Sequence, residues 1–194
     1  IAQAYYSVMD TAELVPENQY FTNLETQFIT EGDDGLNLLG RFDQRLTDDT
    51  SYRVEVGFGV IDFQLAGFFK WAPIPDVGKQ PALSVAGGVS IARVDVGNST
   101  ENDLSLRAHP IVSKKFEVAF GDVNPYAAIP IGIRTLDGDT DLTAQLVLGS
   151  FLKTEKFEKL SFAAEIGFDI EEAFTYISVG ANLNIDPEYG LQFD

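Results

Sequence analysis

A period of two constrains this chain more than any other feature. Residues 52–71 read YRVEVGFGVIDFQLAGFFKW, a run nearly apolar enough for a membrane segment yet threaded with Arg53, Glu55, Asp62, Gln64 and Lys70. A helix would scatter those charges around its circumference, whereas a strand sends alternate side chains to opposite faces. Tyr52, Val54, Val56, Phe58 and Val60 then share one face and Arg53 and Glu55 the other. A two-residue turn at Ile61-Asp62 predicts Val60 opposite Phe63, and the apolar face continues through Leu65, Gly67, Phe69 and Trp71, with Gln64 and Lys70 behind.

The same alternation recurs along the chain. Leu36, Leu38, Gly40, Phe42 and Leu46 oppose Asn37, Arg41, Asp43 and Arg45. Leu142, Ala144, Leu146 and Leu148 oppose Thr143 and Gln145, and Leu160, Phe162, Ala164, Ile166 and Phe168 oppose Ser161, Glu165 and Asp169. In a further stretch Ala127, Ile129, Ile131 and Ile133 oppose Pro130 and Arg134, with Pro125 and Pro130 each removing a ladder donor. The pattern predicts ten strands, near 20–30, 36–46, 51–60, 63–72, 81–95, 103–120, 125–136, 142–152, 159–169 and 173–185. Between them lie turn residues such as Glu31-Gly32-Asp33-Asp34-Gly35, Thr47-Asp48-Asp49, Gly97-Asn98-Ser99-Thr100 and Asp137-Gly138-Asp139. A turn at Ser113-Lys114-Lys115 would divide the sixth strand, and residues 4–14 offer an extra one, so the range is eight to twelve. Helical spacing occurs only at residues 7–14, stopped by Val15-Pro16. Residues 1–18 thus form an N-terminal segment, periplasmic or plugging a lumen, and residues 19–194 one β-domain.

The totals narrow the function. Lys and Arg number 13 against 30 Asp and Glu, a net charge of -17, which repels nucleic acid and acidic substrates. No Cys is present, so disulfides and thiolate metal sites are excluded. No uncharged apolar stretch is long enough for a transmembrane helix. Ala2-Gln3-Ala4 has the A-x-A form of a signal-peptidase site, which leads to the expectation that a signal peptide has been removed.

Alternation suits a soluble sandwich, a soluble barrel around an apolar ligand, and a membrane barrel with its apolar face outward. Three features favour the last. The strands have about 10 to 12 residues, the length a tilted strand needs to cross a bilayer. Aromatics gather toward strand ends, as at Tyr20, Phe28, Tyr52, Phe69, Trp71, Phe116, Phe120, Tyr126, Phe162 and Phe168. The polar faces balance Arg41, Arg45, Arg53, Lys70, Arg107 and Arg134 against Glu25, Asp43, Glu55, Glu117, Glu165 and Asp169, as charges confined in a small lumen require. The expected fold is all-β, a closed antiparallel up-and-down transmembrane β-barrel of about ten strands, with both termini on the periplasmic side. Its lumen would be lined by those twelve charges with Gln64, His109 and Gln145. Tyr52, Phe58, Phe63, Phe69, Trp71, Phe162 and Phe168 would face lipid or form the girdles.

The hairpins, the segment NPYAAIPIGIR (124–134) and the alternation of Tyr189, Leu191 and Phe193 resemble small bacterial outer-membrane β-barrel proteins. In that group a Pro-Tyr after a short periplasmic turn commonly opens a Gly-containing strand, and the last strand usually ends on an aromatic residue read by the assembly machinery. Here Phe193 is penultimate and Asp186-Pro187 interrupts the final stretch. The resemblance implies a Gram-negative outer-membrane location and a pore-forming or structural role.

Individual sites have ordinary readings. His109, with Ser105, Arg107 and Ser113 on its face, invites a hydrolase or acyltransferase triad, but no G-x-S-x-G accompanies it and a polar lumen network accounts for it. Asp137, Asp139 and Asp141 begin like a calcium loop, but Leu142 and Leu148 stand where Gly and Glu belong, leaving an acidic hairpin with at most weak divalent binding. Ala82, Ser84, Ala86, Gly88, Ser90 and Ala92 make one face of the fifth strand small, leaving room for a narrow passage or for the segment around Tyr5 and Tyr6. At this barrel size side chains nearly fill the interior, which favours a constricted or plugged lumen. The reading is a non-enzymatic outer-membrane barrel, a small porin-like channel or a structural component, with no cofactor. Its partners would be outer-membrane lipids and, for an open lumen, small solutes. The alternatives are a soluble β-barrel or sandwich binding an apolar ligand and, third, a lipid-modifying membrane enzyme using His109.

Overall fold

The computed structural model describes residues 7–30, 35–96, 99–157 and 159–186. Twelve strand segments follow one another: β1 (Tyr20–Ile29), β2 (Gly35–Arg45), β3 (Thr50–Gly59), β4 (Phe63–Ile74), β5 (Ala82–Val96), β6 (Ser99–Ser113), β7 (Phe116–Val118), β8 (Gly121–Ala128), β9 (Ile131–Leu136), β10 (Asp139–Thr154), β11 (Leu160–Glu171) and β12 (Tyr176–Ile185). They make a closed antiparallel barrel of ten staves. β8 and β9 run in line as one stave beside β10, and β6 and β7 run in line as the neighbouring stave, in one register across the break at Lys114-Lys115. β12 closes the wall against β1, with Tyr20 opposite Ile185. The ends of the barrel's chain therefore meet at one rim, called here the near rim.

The break between β8 and β9 falls at Ile129-Pro130, yet the register does not change across it. Ile129 N donates to the Pro110 carbonyl at 3.2 Å, and the Pro130 carbonyl accepts Gln145 N at 3.0 Å. The two prolines cost ladder donors without displacing the stave. At the far rim Asp137 (φ 49°) and Gly138 (φ 90°) join β9 to β10. Positive φ at both central residues is what a two-residue hairpin matched to strand twist requires, and Asp-Gly supplies it with little strain.

Three expectations need correction. First, β3 and β4 pair Gly57 with Gln64 and Val56 with Leu65, so their register is two residues from that of a turn at Ile61-Asp62. Phe58 rather than Val60 meets Phe63, with ring centroids 5.5 Å apart. The shift is even, so every side chain keeps its face. The longer turn lets Ile61 fold inward to full burial, its N–H bonded to Asn37 Oδ1 at 3.1 Å, while Val60 N donates to the Leu36 carbonyl. Second, the turn that would divide the sixth strand at Ser113-Lys114-Lys115 does not form. β7 continues β6 along β8 in one register as far as Val118, and at the two-residue break Lys114 Nζ bonds Asp76 while Lys115 N donates to Asp76 Oδ2 at 2.8 Å. Third, residues 7–14 form neither helix nor strand. They run irregularly inside the barrel, because the partners of their backbone groups are side chains of the wall.

The wall has opposite polarities on its two faces. Leu24, Leu106, Ile91 and Val89 stand more than half exposed on the outside. Glu25, Arg41, Glu55 and Arg134 are buried on the inside. Outer aromatics form two bands. Tyr20, Phe42 and Tyr52 contact in sequence near the near rim, at 5.5 and 6.3 Å, beside Phe69, Trp71 and Phe162. Phe28, Phe58, Phe63 and Phe168 lie toward the far rim. Tyr20 and Phe28 are separated by about 27 Å of β1 at ~3.4 Å per residue. With a strand tilt of about 35–45°, that spacing corresponds to roughly 20 Å along the barrel axis.

Candidate functional site

The interior is the only extensive polar environment the described residues enclose, and it is built on facing strands. Arg41 on β2 bonds Glu25 on β1 and, through Nε at 3.1 Å, Glu55 on β3. Its Nη1 also reaches Asn23 Oδ1 at 3.0 Å. One residue pair nearer the near rim, Arg53 grips both oxygens of Asp43 at 2.7 and 3.1 Å. Lys70 on β4 meets Asp10 at 2.8 Å, and Arg53 meets the same carboxylate at 3.4 Å. Across the barrel Arg134 bonds Asp103 at 2.6 Å, and Ser105 Oγ donates to the other oxygen of Asp103 at 2.9 Å. Each of these buried charges thus meets an opposite one, without which ions in so small a space would not be tolerated.

A second cluster centres on Glu165. Tyr126 Oη and Tyr176 Oη each donate to it at 2.5 Å, from β8 and β12. Both rings lie over glycines: a Cβ at Gly149 would stand 2.3 Å from Tyr126 Cζ, and one at Gly167 2.2 Å from Tyr176 Cε1. Glu165 also receives Ser7 Oγ at 2.9 Å, Val8 N at 3.0 Å and Met9 N. Met9 has φ 33°, a sparsely populated conformation for a side chain of its size, which costs about 1–3 kcal/mol and persists because Glu165 and Arg53 fix the peptides around it.

The N-terminal segment fills the near half of the barrel. Val8, Met9 and Ala12 pack in one apolar cluster with Ala82, Ile111, Tyr126, Ala128, Val147, Phe151 and Ala163. Beside it a cavity of about 330 Å³ opens to the near rim, lined by the segment and by Phe21, Asp43, Arg53, Lys70, Phe151 and Lys153. The far half is sealed by side chains. Ile61 packs with Ala92, Val94 and Leu136, and Gln145 Nε2 donates to the carbonyl of buried Phe174.

His109 is buried on β6, its ring 4.9 Å from that of Phe68. Arg107 lies over the same phenyl at 5.0 Å, and Phe68 itself lies over Gly88. The small residues of β5 therefore seat this aromatic-cation group. His109 Nε2 meets no hydrogen-bond partner among the described residues.

The expected interior residues divide as follows. Glu25, Arg41, Asp43, Glu55, Gln64, Lys70, Arg107, His109, Arg134, Gln145 and Glu165 are buried inside, with Arg53 close behind. Glu117 is not among them, because it sits exposed where the stave of β6 and β7 runs past the near rim, opposite Asp122. Asp169 is exposed at the far rim, accepting Ala173 N at 3.0 Å, and Arg45 is at the near rim, donating to the carbonyls of Thr47 and Asp48. Both lie at strand ends, where alternation no longer separates lumen from solvent.

On the outer face Phe58, Phe63, Phe69, Trp71, Phe162 and Phe168 are exposed, and Tyr52 is half-buried with its hydroxyl on Gln44 at 2.5 Å. Tyr126 is no girdle residue, since Gly149 leaves its ring room inside. Phe68, Tyr176, Asp103, Asn23, Asp10 and Ser7 are among the interior residues that sequence reasoning overlooked. Strand phase alone marks Phe68 and Tyr176, but nothing local marks Asp10 or Ser7. Asp139 and Asp141 are exposed at the tip of β10, and no metal-holding group of three ligands occurs among the described residues. Tyr5, Tyr6, the loop from Glu31 to Asp34, Tyr189, Leu191 and Phe193 lie outside the described residues.

At the near rim electrostatics are local. The Lys114 ammonium, then the Lys115 N–H, hold the Asp76 carboxyl below the usual carboxylate range, and Asp122 raises the Lys115 ammonium. The Thr47 hydroxyl, with the Trp71 indole, lowers Asp49.

No protein-family model and no curated protein matches this sequence. Among solved structures the chain is similar to a de novo designed transmembrane β-barrel (12% identity, 89% of this chain and 100% of that chain, TM-score 0.44). It is also similar to a bacterial polysaccharide outer-membrane secretin (8%, 88% and 66%, TM-score 0.46). A third is the N-terminal β-barrel domain of Pseudomonas aeruginosa OprF (10%, 87% and 98%, TM-score 0.33).

Proposed function

We propose that this protein is an integral β-barrel of the bacterial outer membrane with a closed interior, acting as a non-enzymatic structural component rather than a standing pore. The inverted polarity of the wall carries the reading. Apolar side chains from Leu24 and Val56 to Leu106 and Ile133 surround the barrel on its outside, while the ion pairs of Arg41, Arg53 and Arg134 fill its inside. Soluble monomers rarely expose contiguous apolar patches beyond about 300–600 Å². A hydrocarbon environment resolves that exposure, and two aromatic bands suit its boundaries. A soluble barrel holding an apolar ligand would need the reverse arrangement, with Phe58, Phe63 and Phe162 turned inward. The contact of His109 with Phe68 supports a packing role for that residue.

Heat-modifiable gel mobility and recovery with outer-membrane vesicles test the location; a protein monomeric and soluble without detergent overturns it. In planar bilayers the closed interior predicts silence at rest, and regular ohmic steps from the wild-type protein overturn that half.

The cavity of about 330 Å³ at the near mouth favours one second reading, a porin-like channel that conducts small solutes only when residues 7–15 and the side chains packed around Ile61 in the far half both move aside. Rare openings abolished by cross-linking that segment to the wall would distinguish it.

A further inference from the structure

Residues 7–15 are held in the near half of the barrel chiefly through their backbone. Glu165 accepts the N–H groups of Val8, at 3.0 Å, and Met9, while Ser113 Oγ accepts that of Ala12 at 3.0 Å. In the opposite sense Arg53 Nη1 donates to the Val8 carbonyl at 2.7 Å, and Lys70 Nζ donates to the carbonyls of Thr11 and Glu13 at 3.1 and 2.9 Å. Backbone groups carry no side-chain identity, so these contacts would meet any chain that took the same path. Discrimination comes from side chains: Ser7 Oγ donates to Glu25 at 2.7 Å and to Glu165 at 2.9 Å, Glu13 accepts Asn124 Nδ2 at 2.8 Å, and two further residues stand at the centre. Asp10 lies between Lys70 and Arg53, and Met9 Sδ occupies the space that a Cβ at Gly180 would invade.

Two further observations make this a receptor and its occupant rather than one continuous core. None of residues 7–15 takes part in a strand pairing, so their departure would break no ladder. The far half is sealed by Ile61 and Phe174, whereas the cavity beside the segment opens to the near rim. The segment therefore joins β1 on the open side, past wall groups already aimed at peptide donors and acceptors.

We propose that the near half of this barrel is a peptide-binding vestibule, that residues 7–15 are its resident ligand, and that a peptide of the same pattern supplied from outside displaces them. The pattern is two apolar residues, an acid, and a small residue two positions on, as in Val8-Met9-Asp10-Thr11-Ala12. The proposal goes beyond a structural role in the membrane, and its fate is separable from that reading, because peptide binding is measured on barrels already shown to be folded by heat-modifiable mobility.

The experiment uses the full chain in detergent micelles and, as probe, a dye-labelled synthetic peptide of residues 1–18 followed by fluorescence anisotropy. In the wild type the resident segment competes at an effective concentration in the millimolar range, so the probe binds weakly. Asp10→Asn and Met9→Ala each weaken the resident segment and leave the wall untouched, and each is expected to tighten probe binding at least tenfold. Ala12→Cys with Ser113→Cys, oxidised, pins the segment and is expected to abolish probe binding, which reduction restores. Probe binding no tighter in either segment variant than in the wild type overturns the proposal. So does equal binding by the oxidised and reduced forms, which would put the peptide elsewhere.

Discussion

Tyr176 and Gly167 stand directly opposite each other on β12 and β11, and the tyrosine ring lies across the glycine so that its hydroxyl reaches Glu165 at 2.5 Å. The glycine is there for the ring and the ring for the carboxylate. Gly167→Ala would place a Cβ 2.2 Å from Tyr176 Cε1 and push the ring off its partner. Overpacking of this kind costs about 1–3 kcal/mol. Tyr176→Phe keeps the ring and removes one donor to Glu165, at a cost of about 1–3 kcal/mol. Denaturant unfolding from lipid vesicles measures both, and a wild-type midpoint for Gly167→Ala would contradict the packing described.

Arg41 joins Glu25 and Glu55, all three buried. Arg41→Met leaves two carboxylates without their shared cation and is expected to destabilise by about 3–5 kcal/mol. Adding Glu25→Gln to the same chain should recover part of the loss, so that the pair costs less than the sum of the single changes. Strict additivity in that cycle would mean that the three side chains do not act together.

Leu65 lies on the outer face opposite Val56, between the two aromatic bands. In a bilayer Leu65→Arg costs about 2–4 kcal/mol, as a cation near the midplane of a barrel wall does. Glu155→Arg, exposed in the turn before β11, should stay within about 0.5 kcal/mol of wild type. If the outer face met water instead, Leu65→Arg would be harmless, so unfolding of the two variants from vesicles separates the environments.

The Asp76–Lys114 clasp holds the β4–β5 connection to the break between β6 and β7. The Lys114 hydrogen bond, ahead of the Lys115 N–H, lowers the carboxyl's pKa in the folded protein. A lowered folded pKa means that the stabilisation is complete above the unfolded value of about 3.9 and is lost as pH falls through the lower folded value. The clasp should therefore be indifferent to pH between 7 and about 5 and release only in stronger acid. NMR titration of the Asp76 carboxyl, with the Lys115 amide as reporter, is expected to give a midpoint below the ordinary carboxylate range; a midpoint at or above it would contradict the clasp. Asp76→Asn should remove the acid response of that amide.

Much of the wall is legible in the order of the residues. Leu36 to Phe42 against Asn37 to Asp43, or Phe162 to Phe168 against Ser161 to Glu165, announce strands with one wet face, because side chains alternate strictly along a strand. Even the error of two residues in the β3–β4 register left each side chain on its proper face, since the period is two. Legibility fails at strand ends. Arg45, Glu117 and Asp169 alternate correctly and are still not inside, because beyond the wall alternation has no inside to refer to. Tyr126 misleads for another reason: an aromatic at a strand end suits a girdle, and only the cross-strand space above Gly149 turns its phase into burial.

What the sequence determined by itself, then, is a ten-stave wall with charges on one face and apolar side chains on the other, since both follow from the local geometry of a strand. Which face is enclosed, and what fills it, was decided only by closure. β12 meeting β1 converts the charged face into a lumen, and the lumen sets Asp10 beside Lys70 and Met9 beside Glu165, residues far apart in the chain. Those pairings depend on the barrel's diameter and register, quantities that no single strand contains.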